Sequence, residues 1–245
     1  MTSALKIEAL EAGYVRDLPI LRQVDLGVER GSLTVVIGPN GAGKSTLIKA
    51  VAGLVPVSGG RVLLDGQDIT GIRPDQMGAL GLSYVPQTDN IFRHLSIREN
   101  LALVLRRVPG GARGQQARLH ELYALFPALA QKQADRAGSL SGGQRQMLAI
   151  AMALAPRPRV ILMDEPSAGL SPKIAAEVLD LARSLTRQDV TVLLVEQNVR
   201  RALGVADHCY ILAEGRNQMD GPAAAILADP MVGEIYLGGR RAGAA

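Results

Sequence analysis

Cysteine and aromatic residues are scarce in this 245-residue chain, which has one Cys, no Trp, five Tyr and two Phe. The single thiol, Cys209, cannot form an internal disulfide, so stability must come from a buried core and the expected setting is a reducing cytoplasm. Few aromatics also mean few platforms on which bases could stack. That removes the main support for reading the net charge of +4 and the pI near 9.5 as a nucleic-acid surface. Arg106-Arg107, Arg200-Arg201 and Arg240-Arg241 are the places where basic residues pair up. Solvated helix and tail faces account for them, and no nucleic-acid partner is expected. No apolar run, including that through Ala149 to Ala155, approaches the ~20 residues that span a bilayer. Any membrane role must therefore come through a partner. The opening Met1-Thr-Ser-Ala-Leu-Lys-Ile-Glu carries charge where a signal peptide would be apolar, so no secretory leader is expected.

What the chain does contain is phosphate chemistry. Gly38-Pro39-Asn40-Gly41-Ala42-Gly43-Lys44-Ser45 fits G-x-x-x-x-G-K-[ST] and follows an apolar run, Leu33 to Ile37, that reads as a buried strand. A helix is expected over Ser45 to Ala52, with Leu47, Ile48 and Val51 on one face and Gly53 as its stop. Glycines let such a loop wrap so that backbone N–H groups point at a phosphate. Lys44 brings a charge to the β- and γ-phosphates, and the Ser45 hydroxyl is placed for Mg²⁺. A second element, Val160-Ile-Leu-Met-Asp164-Glu165, reads as a parallel strand buried on both faces with two carboxylates at its carboxyl end. An isolated Asp-Glu pair is commonly a solvated turn, but a phosphate loop needs such a partner. Asp164 then serves the metal, and Glu165 positions or deprotonates the attacking water.

Around these motifs the pattern changes along the chain. Leu5 to Leu10, Arg22 to Val28 and Arg61 to Leu64 are β-prone, with turns expected at Pro19, Gly31, Gly59-Gly60 and Asp65-Gly66, which suggests an antiparallel layer beside an α/β core. Gly81 to Pro86 reads as a strand leading to Gln87. From there to Pro156 the period is helical. Ser96-Ile-Arg-Glu99 is a capping box ahead of Leu101, Val104, Leu105 and Val108; after a Pro109-Gly110-Gly111 break, a second face carries Leu119, Leu122, Tyr123 and Phe126. The core resumes with the Asp164 strand, a helix bearing Ile174, Val178, Leu181 and Leu185, a strand Val190 to Val195, and a hairpin from His208 around Glu214-Gly215. The expected division is 1–87 (β layer and phosphate-loop part of the core), 88–155 (helical insert), 156–230 (rest of the core) and 231–245 (tail, loose after Gly238).

Ser141-Gly142-Gly143-Gln144 has a modest explanation as a Ser-x-x-Gln box capping a helix from about Gly142 to Ala155. Two glycines in a first helical turn cost roughly 1 kcal/mol each relative to Ala, which suggests that something approaches the backbone closely. A phosphate at the positive end of the helix meets that need. Because the chain's own loop already holds one nucleotide, this second anion site would serve a nucleotide bound by another subunit.

With these three motifs in order, the chain resembles, over nearly its whole length, the nucleotide-binding subunit of an ATP-binding cassette transporter. The resemblance implies a P-loop NTPase core of the RecA-like α/β type with an antiparallel β subdomain and an inserted helical subdomain, binding ATP and Mg²⁺. It implies that Tyr14 stacks on adenine, although an exposed loop aromatic is the alternative, and that Gly38 to Thr46 wrap the phosphates. Gln87 would contact Mg²⁺, alongside Ser45 and Asp164, and couple to a membrane subunit. Ser141 to Gln144 would close over the partner's ATP, and Ser167-Ala-Gly-Leu-Ser171 would cross between subunits. Two positions depart from the wider family. Ser171 stands where Asp is usual, and Glu196-Gln197-Asn198 replaces the usual Glu-His. Gln197 is expected to hold the γ-phosphate and the attacking water by hydrogen bonds alone, since an amide donates and accepts but cannot carry a proton, which leaves Glu165 to accept it. These departures, with the terminal Tyr236-Leu-Gly-Gly239, narrow the resemblance to one of the two ATPase subunits of branched-chain amino-acid importers; urea and short-chain amide importers share the features. Implied partners are transmembrane permeases, a second ATPase subunit (hetero- or homodimeric) and, indirectly, a substrate-binding protein, with the chain peripheral at the cytoplasmic face of the membrane. A soluble cassette ATPase acting on nucleic acid or ribosomes would be expected to carry two cassettes or a long coiled-coil insertion. Only about fifty residues separate Gln87 from Ser141. A P-loop kinase would leave Ser141 to Gln144 unexplained.

Overall fold

The computed structural model describes residues 3–15, 17–88 and 90–232. The expectations for Tyr236-Leu-Gly-Gly239 and for the end after Gly238 lie outside the described residues. The described residues form ten strands and eight α-helices: β1 (Ser3–Ala12), β2 (Leu21–Glu29), β3 (Leu33–Ile37), α1 (Lys44–Val51), β4 (Val57–Leu64), β5 (Gln67–Asp68), β6 (Leu82–Val85), α2 (Ile97–Leu105), α3 (Gly111–Leu125), α4 (Pro127–Gln131), α5 (Gly142–Leu154), β7 (Val160–Asp164), α6 (Pro172–Thr186), β8 (Thr191–Val195), α7 (Val199–Val205), β9 (His208–Ala213), β10 (Arg216–Pro222) and α8 (Ala223–Ala228). The chain is thus α/β with two sheets. One is antiparallel in the order β2-β1-β4-β5. The other, β10-β9-β3-β8-β7-β6, is parallel except for its β10 edge.

The period-2 alternation of side chains divides the interior into two cores. Leu33, Val35 and Ile37 of β3, Ile161 and Met163 of β7, and Val192 and Leu194 of β8 face α5, α6 and α7. Their neighbours Val36, Val160, Leu162, Leu193 and Val195 face the other way, toward α1 and the antiparallel layer, where Leu47, Ile48, Leu5, Ile7 and Leu10 complete the second core. Every residue of β3, β7 and β8 is buried, as strands covered on both faces require. Full burial of an aliphatic side chain such as Leu47 or Ile48 contributes about 1.5–3 kcal/mol, so the phosphate loop is mounted on a stiff base. The carboxyl ends of β3, β6, β7 and β8 lie along one edge of this sheet, with Asp164 in register with Val195. That edge is where an open α/β sheet binds its ligand.

Several local expectations are corrected. Gly59-Gly60 is not a turn; both residues lie inside β4, and where the register with β1 shifts, Ala9 and Leu10 of β1 stand opposite Gly60, so the bulge is on β1 and β4 continues to Leu64. α2 stops at Leu105, leaving Val108 beyond it. Gly111 opens α3 instead of breaking the chain. Along α6 the fully buried stripe is Ala175, Val178, Leu179, Ala182 and Leu185, while Ile174 and Leu181 flank it half-buried, because small residues let the helix lie closer to the sheet. A short 3-10 helix, Pro74–Leu80, and the helices α4, α7 and α8 had no sequence expectation. The Ser96/Glu99 capping box forms as read. Arg118 of α3 is buried and donates to the carbonyls of Leu154 and Ala155, tying the helical segment to the end of α5 with charge-assisted bonds. Among the described residues, no helix is long and apolar enough to cross a membrane.

Candidate nucleotide-binding and hydrolysis site

The loop after β3 turns into α1 through Gly43, which has φ of 97° and serves as an N-cap with no side-chain hydrogen bond. A left-handed cap without a side chain suits glycine and leaves the first-turn amides of α1 to an outside acceptor. Lys44, 5% exposed, folds back so that Nζ donates to the carbonyls of Gly38 (2.8 Å) and Pro39 (3.0 Å). Burial pulls its pKa down, and the charges of Glu165 and Asp164 oppose that shift. Asn40, Gly41, Ala42, Gly43, Lys44, Ser45 and Thr46 line a cleft of about 320 Å³ together with Gln87, Glu165, Gln197 and Ile20.

Asp164, 2% exposed, closes β7. The Ser45 hydroxyl donates to Oδ1 at 2.9 Å and the Tyr84 hydroxyl to Oδ2 at 3.3 Å. Burial pushes the Asp164 pKa up, against the Ser45 hydrogen bond and the nearby Lys49 charge. Glu165 follows with φ of 47°, a left-handed conformation that costs a non-glycine residue about 1–3 kcal/mol and that clusters at functional sites. Its N–H donates to the Val195 carbonyl at 2.9 Å, which pins the strained residue to β8. One carboxylate oxygen, Oε2, accepts from Gln87 Nε2 at 2.8 Å and from Gln197 Nε2 at 2.7 Å. Three loops, after β6, β7 and β8, therefore converge on a single oxygen. Gln87 reaches Glu165 and not the Ser45–Asp164 pair, and its own carbonyl oxygen has no hydrogen-bond donor among the described residues.

The structure brings the P-loop residues, Asp164, Glu165, Gln87 and Gln197 together but not the rest. Ser141, Gly143 and Gln144 line a separate hollow of about 380 Å³ with Leu125, Phe126, Met147 and Ile174. The capping box is real: Gln144 N–H donates to Ser141 Oγ at 3.3 Å and Ser141 N–H to Gln144 Oε1 at 3.2 Å. The close approach expected at its glycines is supplied within the chain. A Cβ at Gly143 would stand 2.3 Å from Ile174 Cγ2, so helix packing by itself already demands glycine there. Tyr14 is 57% exposed and does not line the cleft. Sequence reasoning missed three residues. Ile20, on the cleft wall, carries no motif signal. Tyr84 sits in a strand whose pattern says only that it is half-buried. Glu196 stands at a strand end as Asp164 does, which was a usable signal. It is 1% exposed, with burial raising its pKa against hydrogen bonds from Ser167, Asn198 and Gln197.

A phosphate loop at the edge of a mixed sheet, an acidic strand end beside it and a helical segment beginning a capped helix elsewhere define a P-loop nucleotide hydrolase of the cassette type. Comparison with known proteins makes the class specific: the family described as "ABC transporter" matches residues 21–168, and the chain belongs to it. It is 42% identical to the "Probable branched-chain amino acid transport ATP-binding protein LivF" of Archaeoglobus fulgidus, over 96% of this chain and 98% of that one. It is 36% identical to the "Lipopolysaccharide export system ATP-binding protein LptB" of Acidithiobacillus ferridurans, over 97% and 98%. Among solved structures, "the ADP conformation of MJ1267, an ATP-binding cassette of an ABC transporter" superposes with a TM-score of 0.83 at 29% identity, covering 98% of this chain and all of that one. The chain is an ATP-hydrolysing ABC ATPase, and among these relatives it is most like the branched-chain amino-acid transport subunits.

Proposed function

We propose that this chain is the ATPase subunit of an importer of branched-chain amino acids, working at the cytoplasmic face of a membrane with transmembrane permeases, a second ATPase subunit and, indirectly, a substrate-binding protein. The observation that carries the hydrolytic part is the grip of two amides on one oxygen of Glu165 beside the P-loop cleft. ATP enters with its phosphates on backbone N–H groups of the loop from Asn40 to Thr46, and Lys44 exchanges its two carbonyl partners for phosphate oxygens. Glu165 accepts the proton of the attacking water, with Gln197 and Gln87 fixing the direction of its carboxylate. The signature residues Ser141, Gly142, Gly143 and Gln144, of which Ser141, Gly143 and Gln144 line a hollow of their own, meet the phosphates of an ATP held by the second subunit. Tyr14, exposed, is free to turn onto adenine.

Mg²⁺ fits the oxygens present. Ser45 Oγ and Asp164 Oδ1 stand 2.9 Å apart beside Lys44, a hydroxyl and a carboxylate of the kind that hold Mg²⁺ jointly with substrate phosphates. Gln87, whose amide is turned to Glu165, would supply its carbonyl as a third protein oxygen only by turning toward that pair, and the bound ion would offset charge building on the phosphates. The coupling surface we assign is an open groove of about 530 Å³ between the 3-10 helix, β6, α2 and α5. It contains Pro86, next to Gln87, and Phe92, which is 57% exposed, so a permease segment seated there would press on the loop that holds Glu165.

Support for the substrate is the 42% identity to LivF across nearly both chains. The 36% identity to LptB marks how much of the cassette is shared by systems with other cargo, and urea and short-chain amide importers are the alternative closest in kind. The test is purification of the complex from native membranes with uptake measured on the deletion strain. Two permeases, a second ATPase and a binding protein, with labelled leucine uptake lost, are expected. Co-purifying ribosomes or DNA, or intact leucine uptake with urea uptake lost, would overturn the reading.

A further inference from the structure

Glu196 presents an unusual arrangement. Its carboxylate is sealed from solvent at the end of β8, and among the described residues no cation lies within ion-pair distance of it. Three backbone amides satisfy it instead. Ser167 N–H donates to Oε1 at 3.0 Å; Gln197 and Asn198 N–H donate to Oε2 at 3.1 and 3.4 Å. Ser167 lies two residues after Glu165 on the loop leaving β7, while Gln197 and Asn198 begin the loop leaving β8. The two oxygens of one side chain therefore bridge the two loops whose side chains meet at Glu165 Oε2. An ionised carboxylate is the one side chain of this length with two oxygens that both only accept. Glutamine would present an NH₂ to one set of donors, and an apolar residue would leave three buried amides unpaired.

We propose that Glu196 is a positioning residue for hydrolysis, locking the loop that carries Glu165 to the loop that carries Gln197 so that the carboxylate and amide stay in contact. The inference rests on the catalytic reading of Glu165 and Gln197 given above. The lock explains how Glu165 keeps its left-handed backbone. Its N–H is held by Val195, the residue before Glu196, and the turn after it is held through Ser167, so both sides of the strained residue are fastened to the end of β8.

The test uses the full chain and the isosteric Glu196→Gln, with ATP affinity, steady-state hydrolysis per folded molecule and residue-level amide exchange measured on the same preparation. Turnover should fall about tenfold or more with ATP affinity changed less than about twofold, because the P-loop contacts are untouched. The amides of Ser167 or of Gln197 and Asn198 should exchange faster. Glu196→Asp, which keeps the charge but retracts it by one methylene, provides the second variant. It should retain protection at Gln197 and Asn198, lose it at Ser167, and hydrolyse at an intermediate rate. A purely structural role would lower the melting temperature while leaving the rate per folded molecule intact, and that result overturns the proposal. So does slowed hydrolysis with all three amides as protected as in the unaltered chain. Glu165→Gln is the control for the underlying reading: if it hydrolyses ATP at the normal rate, the assignment of Glu165 fails, and amide exchange in Glu196→Gln still decides whether the lock exists.

Discussion

Replacing Gln197 by alanine is the sharpest test of the site, because the structure says what is lost and what remains. Gln197 Nε2 donates to Glu165 Oε2 at 2.7 Å, and Gln87 donates to the same oxygen at 2.8 Å. A hydrogen bond to a charged acceptor is worth about 1.5–3 kcal/mol, and at about 1.36 kcal/mol per decade its full loss corresponds to about 10- to 150-fold in rate. Since Gln87 keeps hold of the oxygen, the lower part of that range applies, a fall of about 10- to 30-fold in kcat. ATP affinity should change by less than about twofold, because Lys44 and the loop amides are unaffected. Steady-state ATP hydrolysis and equilibrium nucleotide binding on the same preparation separate the two quantities. Gln197→His should retain activity and acquire a pH step near the imidazole pKa of about 6.5, which an amide at this position cannot produce. Full activity in Gln197→Ala would refute the reasoning and show that Gln87 alone orients Glu165.

Asp164→Asn removes a buried charge whose pKa is raised by burial. A carboxyl with a raised folded-state pKa binds more protons folded than unfolded, so its contribution to stability falls as pH rises from the unfolded value of about 3.9 through the folded one. The nucleotide-free variant should therefore melt higher than the unaltered chain at pH 8, by about 2–4 °C per kcal/mol relieved, with the gap shrinking toward pH 4 and Mg²⁺-dependent hydrolysis lost; a gap that widens on acidification would contradict the sign. Ser141→Arg should abolish hydrolysis while ATP still binds the P-loop, whereas a residue serving only the local cap would cost about 1 kcal/mol of stability and leave the rate of the folded protein intact.

The elements of this chain that depend on neighbours in sequence were legible without the structure. The P-loop is a run of glycines around one lysine, the Ser141 and Ser96 boxes are three-residue spacings, and β3, β7 and β8 are apolar runs bounded by turn or acidic residues. Each states a backbone conformation that local sterics and hydrogen bonds select. Tertiary structure decided what those pieces meet. Gln87, Glu165 and Gln197 lie 78 and 32 residues apart along the chain, and no spacing rule joins them. They converge because β6, β7 and β8 are consecutive in the sheet and end at one edge. The same holds for Gly143, whose requirement for glycine traces to Ile174 on another helix, and for Glu196, whose letter says "acid at a strand end" while its three amide donors come from two loops. A side chain's chemistry is a property of the sequence. Which lone pair it offers, and to whom, follows from strand order and register, and these are settled only when the two cores close around the sheet.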